Sequence, residues 1–235
     1  MKDIAIILAA AGKSTRFRDP YSKKVFALAS SKPVWQHSAQ MFAEHPRVAQ
    51  IIMAIAPEDK ELVQEKFAAS LSMLCVEVVF GGEERFHSIR NALEKVRSDI
   101  KLIGVHDAAR PCVTKQSFDA LIAVADRTGA AILASPIRGT VKRCSSSDKV
   151  LETVERDGLW QAQTPQLFKS SILKSAYASI QGKPTDDAEV VENSGVSVTC
   201  VEGPESNIKI TTKEDIRIAE AFLKVPQRTR DNPFF

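Results

Sequence analysis

The sequence predicts an α/β fold: a mostly parallel sheet with helices on both faces. Three observations lead there. With 235 residues, 44% hydrophobic and 26% charged, the chain can bury a sizeable core without disulfide staples. Short, β-branched apolar runs recur along its first two thirds. Amphipathic stretches alternate with those runs through short connections, the pattern of repeated strand–helix–strand units.

The elements follow in order. Residues 4–8 form an apolar run suited to a strand buried on both faces. A polar, cation-rich loop occupies about 10–24, and 33–44 reads as a helix. Residues 50–56 form the next strand, closed by Pro57, and 59–71 has helical periodicity. A third strand at 76–80 ends on Gly81 and Gly82, followed by a helix over 84–96. Residues 102–106 make a fourth strand. Thr114 opens a helix reaching about 126, its hydroxyl able to cap the first turn. Residues 130–134 make a fifth strand. Near Pro136 the pattern changes: 140–156 reads as two polar, extended strands around a turn at 145–148. Such a hairpin has little to bury against its own domain and suits an arm packed on a partner subunit. Residues 168–180 and 186–193 read as helices, 196–201 and 208–211 as late strands. A last helix covers 213–223 with Thr212 as its cap, and the polar tail after Val225 frays. The chain, 1–235, is thus expected to be a single domain with an arm at about 138–158.

Composition narrows the function classes. Lys and Arg number 32 against 29 acidic residues, a net charge of +3, and no run of five like charges occurs. Neither nucleic acid nor membrane is therefore an expected partner, and anion chemistry must come from a local cluster of cations. No apolar run approaches the roughly 20 residues of a membrane helix. Cys75, Cys112, Cys144 and Cys200 are scattered, as expected of reduced thiols in a cytoplasmic protein. The apolar start resembles a short signal peptide, but Lys13, Arg16, Arg18, Lys23 and Lys24 follow at once, and a first strand is the better reading.

In parallel sheets ligands sit at the carboxyl ends of the strands, so the loops after residues 8, 80 and 106 should share one crevice. The first carries Ala9-Ala10-Ala11-Gly12-Lys13-Ser14. A P-loop would need glycine where Ile7 stands, and a dinucleotide fingerprint would need glycine near Ser14 and Thr15. What remains is small residues against which a nucleotide can lie, free amides for phosphate oxygens, and charge from Lys13, Arg16, Lys23 and Lys24. A solvated basic loop is the plainer alternative. Gly81-Gly82-Glu83, with Ser88 beyond, permits close approach of a base or ribose, or is simply a turn. His106-Asp107-Ala108-Ala109-Arg110 puts a carboxylate at a strand end with room beside it, suited to a metal ion or sugar hydroxyls, or to a structural Asp–Arg pair. Lys209, between two isoleucines, should point opposite to both and needs an anionic partner or a polar cleft. His37, His45, His87 and His106 show neither metal-ligand spacing nor a Ser or Cys partner, and no GxSxG occurs.

These segments together resemble the 2-C-methyl-D-erythritol 4-phosphate cytidylyltransferases, IspD. The likeness spans about 4–221 and is most specific at VHDAARP (105–111), QTPQ (163–166) and NIKIT (207–211). It implies a Rossmann-like sheet, an arm exchanged across a homodimer, and the reaction of CTP with methylerythritol phosphate to the CDP-alcohol and pyrophosphate, with Mg²⁺ held mainly by the CTP phosphates. Its transition-state cations fall on Arg16 and on Lys23 or Lys24. Its CTP contacts fall on Ala9, Ala10, Ala11, Gly12, Gly81, Gly82, Glu83 and Ser88. Asp107, Ala108 and Arg110 fall on the substrate strand end. Thr164, Thr185, Lys209 and Arg156 fall on positions holding the substrate phosphate or nucleotide, Arg156 donated by the partner subunit. Departures are Ser14 for a second glycine, Ser22 for a proline, and Gly139 for an aspartate. The chemistry needs no triad, because a phosphate dianion is already a nucleophile; two anions must be brought together and their charge neutralised. The alternatives are transfer to another polyol phosphate such as ribitol 5-phosphate, a non-catalytic nucleotide-binding module, and, more remotely, a P-loop ATPase.

Overall fold

A computed structural model describes residues 2–15, 17, 23–180 and 182–224. Its elements in chain order begin with β1 (Ile4–Ala9), β2 (Leu28–Ala29), β3 (Lys32–Pro33), α1 (Val34–Ala43) and β4 (Val48–Ile55). Then follow a 3₁₀ turn (Pro57–Asp59), α2 (Lys60–Met73), β5 (Val76–Phe80), α3 (Arg85–Leu93), β6 (Leu102–Asp107), α4 (Lys115–Thr128) and β7 (Ala130–Pro136). The last third comprises β8 (Val141–Cys144), β9 (Val150–Val154), β10 (Trp160–Lys169), α5 (Ser170–Ala178), α6 (Asp187–Asn193), β11 (Thr199–Glu202) and α7 (Lys213–Leu223).

Among the described residues, seven strands form the central sheet in the order β11-β7-β10-β6-β1-β4-β5. All run parallel except β10, which is antiparallel to both neighbours. The alternation in β1 shows how the layers arise. Ile4, Ile6 and Leu8 pack with Trp35 and Phe42 of α1, Val63 of α2 and Phe118 of α4. Ala5 and Ile7 point the other way, to Ile89 of α3, Leu173 of α5 and Val191 of α6. Each fully buried Ile or Leu contributes about 1.5–3 kcal/mol, so β1 anchors both layers. Thr114 caps α4 as expected, its Oγ1 accepting the Ser117 amide at 3.1 Å. Thr212 precedes α7, and the Asp215 carboxylate accepts its amide at 2.8 Å.

Three expectations change. The segment 160–169, not expected as a strand, is β10; it claims Phe168, so the following helix starts at Ser170. Residues 208–211 belong to no strand or sheet; the Ile210 N–H donates to the Ala109 carbonyl at 2.8 Å, and the Thr211 amide and hydroxyl donate to Asp215. Only Thr199–Glu202 of the other late strand pairs, along β7. The expected hairpin forms as β8–β9, a ribbon apart from the main sheet, with Val150 and Leu151 over 60% exposed. The tail after Val225 lies outside the described residues.

Candidate functional site

The loops after β1, β5 and β6 do share a crevice, of about 870 Å³. Ala9, Ala11 and Gly12 form one wall, Gly81, Gly82 and Glu83 with Ser88 another, and Asp107 with Lys209 the far end. The close fit of the first two walls comes from Gly81. A Cβ there would lie 2.5 Å from Ser88 Oγ and 2.7 Å from Ala11 Cβ. Ser88 Oγ in turn accepts the Gly82 amide at 3.2 Å, fixing the turn. Ala10 and Ala108 lie beneath the surface rather than in the lining: Ala10 donates its amide to Ala54, Ala108 to Ala9.

Asp107 ends β6 opposite Ala9 and is the electrostatic hub. Lys209 Nζ lies 2.7 Å from Oδ2, Arg110 Nε 3.7 Å from the same oxygen, and Arg85 Nε 3.7 Å from Oδ1. Burial alone would raise this carboxyl's pKa. Arg85, Lys209 and Arg110 outweigh burial and hold it well below the usual carboxylate range, so it is ionised. Lys209 has found its anionic partner without belonging to a strand. Its neighbour Ile210 is fully buried and turns the lysine toward the crevice.

A second layer holds this hub in place. The β10–β7 register slips between Ala162 and Gln166, so residues 163–165 bulge toward the end of β6. In that bulge, before the cis Thr164–Pro165 bond, Thr164 Oγ1 accepts the Asp107 amide at 3.0 Å. Thr164 also meets His106 Nδ1 at 3.1 Å. The Thr164 carbonyl accepts from Asn207 Nδ2 at 2.9 Å, and the Asn207 carbonyl accepts from Arg110 at 2.7 Å. Gln166 reaches α6, accepting the amides of Asp187 and Ala188 and donating to Asp186. Gln163, Gln166, Asn207 and Arg85 were not singled out in the sequence as site residues. For Arg85 the signal was present, immediately after the Gly81–Gly82 turn.

The remaining expected residues divide. Lys24 lines the crevice, whereas Lys23 turns to the 3₁₀ turn, 2.7 Å from Asp59 and 3.0 Å from Glu58. Arg16 lies outside the described residues. Thr185 is exposed and not in the lining; its amide and hydroxyl donate to Glu189 at 2.7 and 2.8 Å. Arg156 is exposed at the base of the arm, donating to the Arg138 carbonyl, and does not line its own chain's crevice. Ser14 takes the departure from glycine literally: its φ is +53°, a left-handed conformation glycine would adopt freely. Of the histidines, His106 is wholly buried and His45 bonds Asp119 at 2.9 Å, both structural.

A sequence profile of the 2-C-methyl-D-erythritol 4-phosphate cytidylyltransferases, IspD, matches residues 4–225. The chain is 40% identical over 232 residues to the enzyme of that name from Rhodopirellula baltica, covering 94% of each. It is 37% identical over 226 residues to that of Bacillus velezensis, covering 94% of this chain and 96% of the relative. Among solved structures, a 4-diphosphocytidyl-2C-methyl-D-erythritol synthase superposes with a TM-score of 0.79 at 33% identity, over 94% of this chain and 98% of the other. The cytidylyltransferase from Thermus thermophilus gives 0.78 at 26% identity, over 96% and 100%.

Proposed function

The chain belongs to the 2-C-methyl-D-erythritol 4-phosphate cytidylyltransferases, and from that premise we propose how its own residues carry out the transfer. The family's reaction joins the cytidylyl group of CTP to the substrate phosphate, giving 4-diphosphocytidyl-2-C-methyl-D-erythritol and pyrophosphate. It is a step of non-mevalonate isoprenoid synthesis. CTP lies between the small-residue loop and the Gly81–Gly82 turn, where no side chain bars its approach. The polyol hydroxyls meet the Asp107 carboxylate. Lys209 turns positive charge on the substrate phosphate, and Arg16 and Lys24 neutralise the triphosphate as pyrophosphate leaves. No proton need be removed from a dianionic nucleophile. The rate gain comes from alignment and from charge already in place. The observation that most supports this reading is the convergence of Lys209, Arg85 and Arg110 on one ionised aspartate at the crevice end.

Mg²⁺ fits this scheme as a passenger of the nucleotide. Among the described residues no group of three or more His, Cys, Asp or Glu side chains is arranged to hold a metal ion. Asp107, the carboxylate best placed for one, already faces three cations. When bound, Mg²⁺ would spread the negative charge of the phosphates that hold it. We also infer a homodimer in which the arm crosses to the partner and Arg156 reaches the partner's substrate phosphate. Supporting this are the exposed Val150, Leu151 and Trp160 and the absence of Arg156 from its own crevice lining. Cytoplasmic residence rests on the scattered free cysteines.

The test is pyrophosphate release. It should need CTP and methylerythritol phosphate together, and fall sharply with ribitol 5-phosphate or with ATP. CTP binding without any release would establish a binding module instead.

A further inference from the structure

Arg85 opens α3 directly after the Gly81–Gly82 turn, and its guanidinium spans two carboxylates from different layers. Its Nη2 lies 2.6 Å from Asp187 Oδ2 in the first turn of α6, while Nε faces Asp107 Oδ1 at the end of β6. Asp187 is wholly buried, and its other oxygen accepts the Tyr177 hydroxyl at 2.6 Å. Burial and the adjacent Asp187 push the Tyr177 pKa up, so the phenol stays a donor. The strut Tyr177–Asp187–Arg85–Asp107 therefore joins the nucleotide turn to the carboxylate that meets the second substrate. With both carboxylates on it, Arg85 has its charge matched and is no phosphate ligand. A lysine could not replace it, because a point charge lacks the fork that reaches two partners at once.

We propose that Arg85 is a positioning residue that orients the Asp107 carboxylate for the hydroxyls of the phosphorylated polyol, with Asp187 and Tyr177 fixing its reach. The inference rests on the reading of Asp107 as the polyol-binding carboxylate. It predicts a loss falling mainly on the second substrate, because the Gly81–Gly82 turn is held by Ser88 Oγ, while the Arg85 side chain bonds Asp187.

The experiment uses the full chain and two variants, R85Q/D187N and R85K. The paired variant removes both charges, so no buried carboxylate is stranded; R85K keeps the charge beside Asp187. For each, thermal melting, CTP affinity by calorimetric titration, and kcat and KM for both substrates are measured. The expected result is near-wild-type melting and CTP affinity. The KM for methylerythritol phosphate should rise about tenfold or more, with a smaller change in kcat. Folded variants with wild-type KM for the polyol phosphate would overturn the proposal. So would an equal loss of CTP affinity, which marks a merely structural strut. If R85Q/D187N does not fold, R85K decides by the same criteria. A wild-type chain that binds CTP but releases no pyrophosphate would refute the proposed function, and the Arg85 role with it.

Discussion

Acidification should destabilise this protein through one imidazole. His106 is fully buried, its ring edge-on to Phe42 at 5.1 Å. Its Nε2 meets the Arg110 carbonyl at 3.1 Å, and a carbonyl only accepts, so the ring proton sits on Nε2. Nδ1 then accepts from the Thr164 hydroxyl, whose oxygen accepts the Asp107 amide. A second proton on Nδ1 would face that hydroxyl and break the chain of donors. Burial, against the pull of Asp107, lowers the His106 pKa from 6.5 to about 4. The unfolded chain therefore binds a proton that the folded chain refuses. Stability is full above about pH 6.5 and falls as the pH drops toward about 4. At about 1.36 kcal/mol per pH unit the interval corresponds to about 3 kcal/mol, of which about 2 kcal/mol is lost by pH 5. For a chain of this size that is about 4–8 °C in Tm. Urea denaturation between pH 8 and pH 5 on the wild type and on His106→Gln measures it. The variant should be less stable at pH 8 yet show a flatter pH dependence by about 2 kcal/mol. Equal slopes would refute the assigned neutral imidazole. His37, also lowered by burial, adds to both slopes alike and cancels in the comparison.

Three other outcomes follow from the geometry. Lys209→Met should lower kcat/KM by about 2.7–4 kcal/mol in free-energy terms, the scale of a lost oxyanion donor, while the fold survives because Arg85 and Arg110 still face Asp107; near-normal pyrophosphate release would exclude the lysine from the site. Gly81→Ala forces a Cβ against Ser88 and Ala11, so CTP affinity should drop in titration and stability should fall by about 1–3 kcal/mol, and unchanged affinity would remove the nucleotide from that wall. If the chain dimerises through the arm as proposed, Leu151→Asp should shift it to monomer by light scattering and depress turnover together, whereas a fully active monomer would show that Arg156 is not shared.

Strands β1, β4, β5, β6 and β7 and the crevice at the sheet's end were legible because buried parallel strands are mostly written as uninterrupted apolar runs, and Ile4–Ala9 or Val48–Ile55 could be little else. Strand β10 was not. Its first half, WQAQTP, is polar and holds a proline, since it bulges beside the site and spends its side chains on hydrogen bonds rather than on a core. The opposite error at 208–211 has the same root: the alternation of Ile208, Lys209 and Ile210 correctly gave the side-chain directions, but a ladder needs a neighbouring strand, and sequence periodicity says nothing about one. Lys23 and Lys24 could not be told apart from spacing; their separation depends on Glu58 and Asp59, residues more than thirty positions away. Asp107 was legible as a strand-end carboxylate, whereas the three cations around it, from α3, the following turn and the segment near 209, meet only through the fold.

The lone reversed strand also dictates an order of events during synthesis. β6 and β7 are made early but never touch as neighbours; the slot between them is filled by β10, whose residues leave the ribosome some fifty positions after those of β6. Until that strand arrives, both flanking edges present unpaired amides and carbonyls to whatever is near. The nascent chain is thus most exposed to wrong pairing while the arm is being made. Entry of Gln163, Thr164 and Gln166 fills that slot and sets Thr164 beneath Asp107, and Asp187, Asn207 and Lys209, made later still, complete the support.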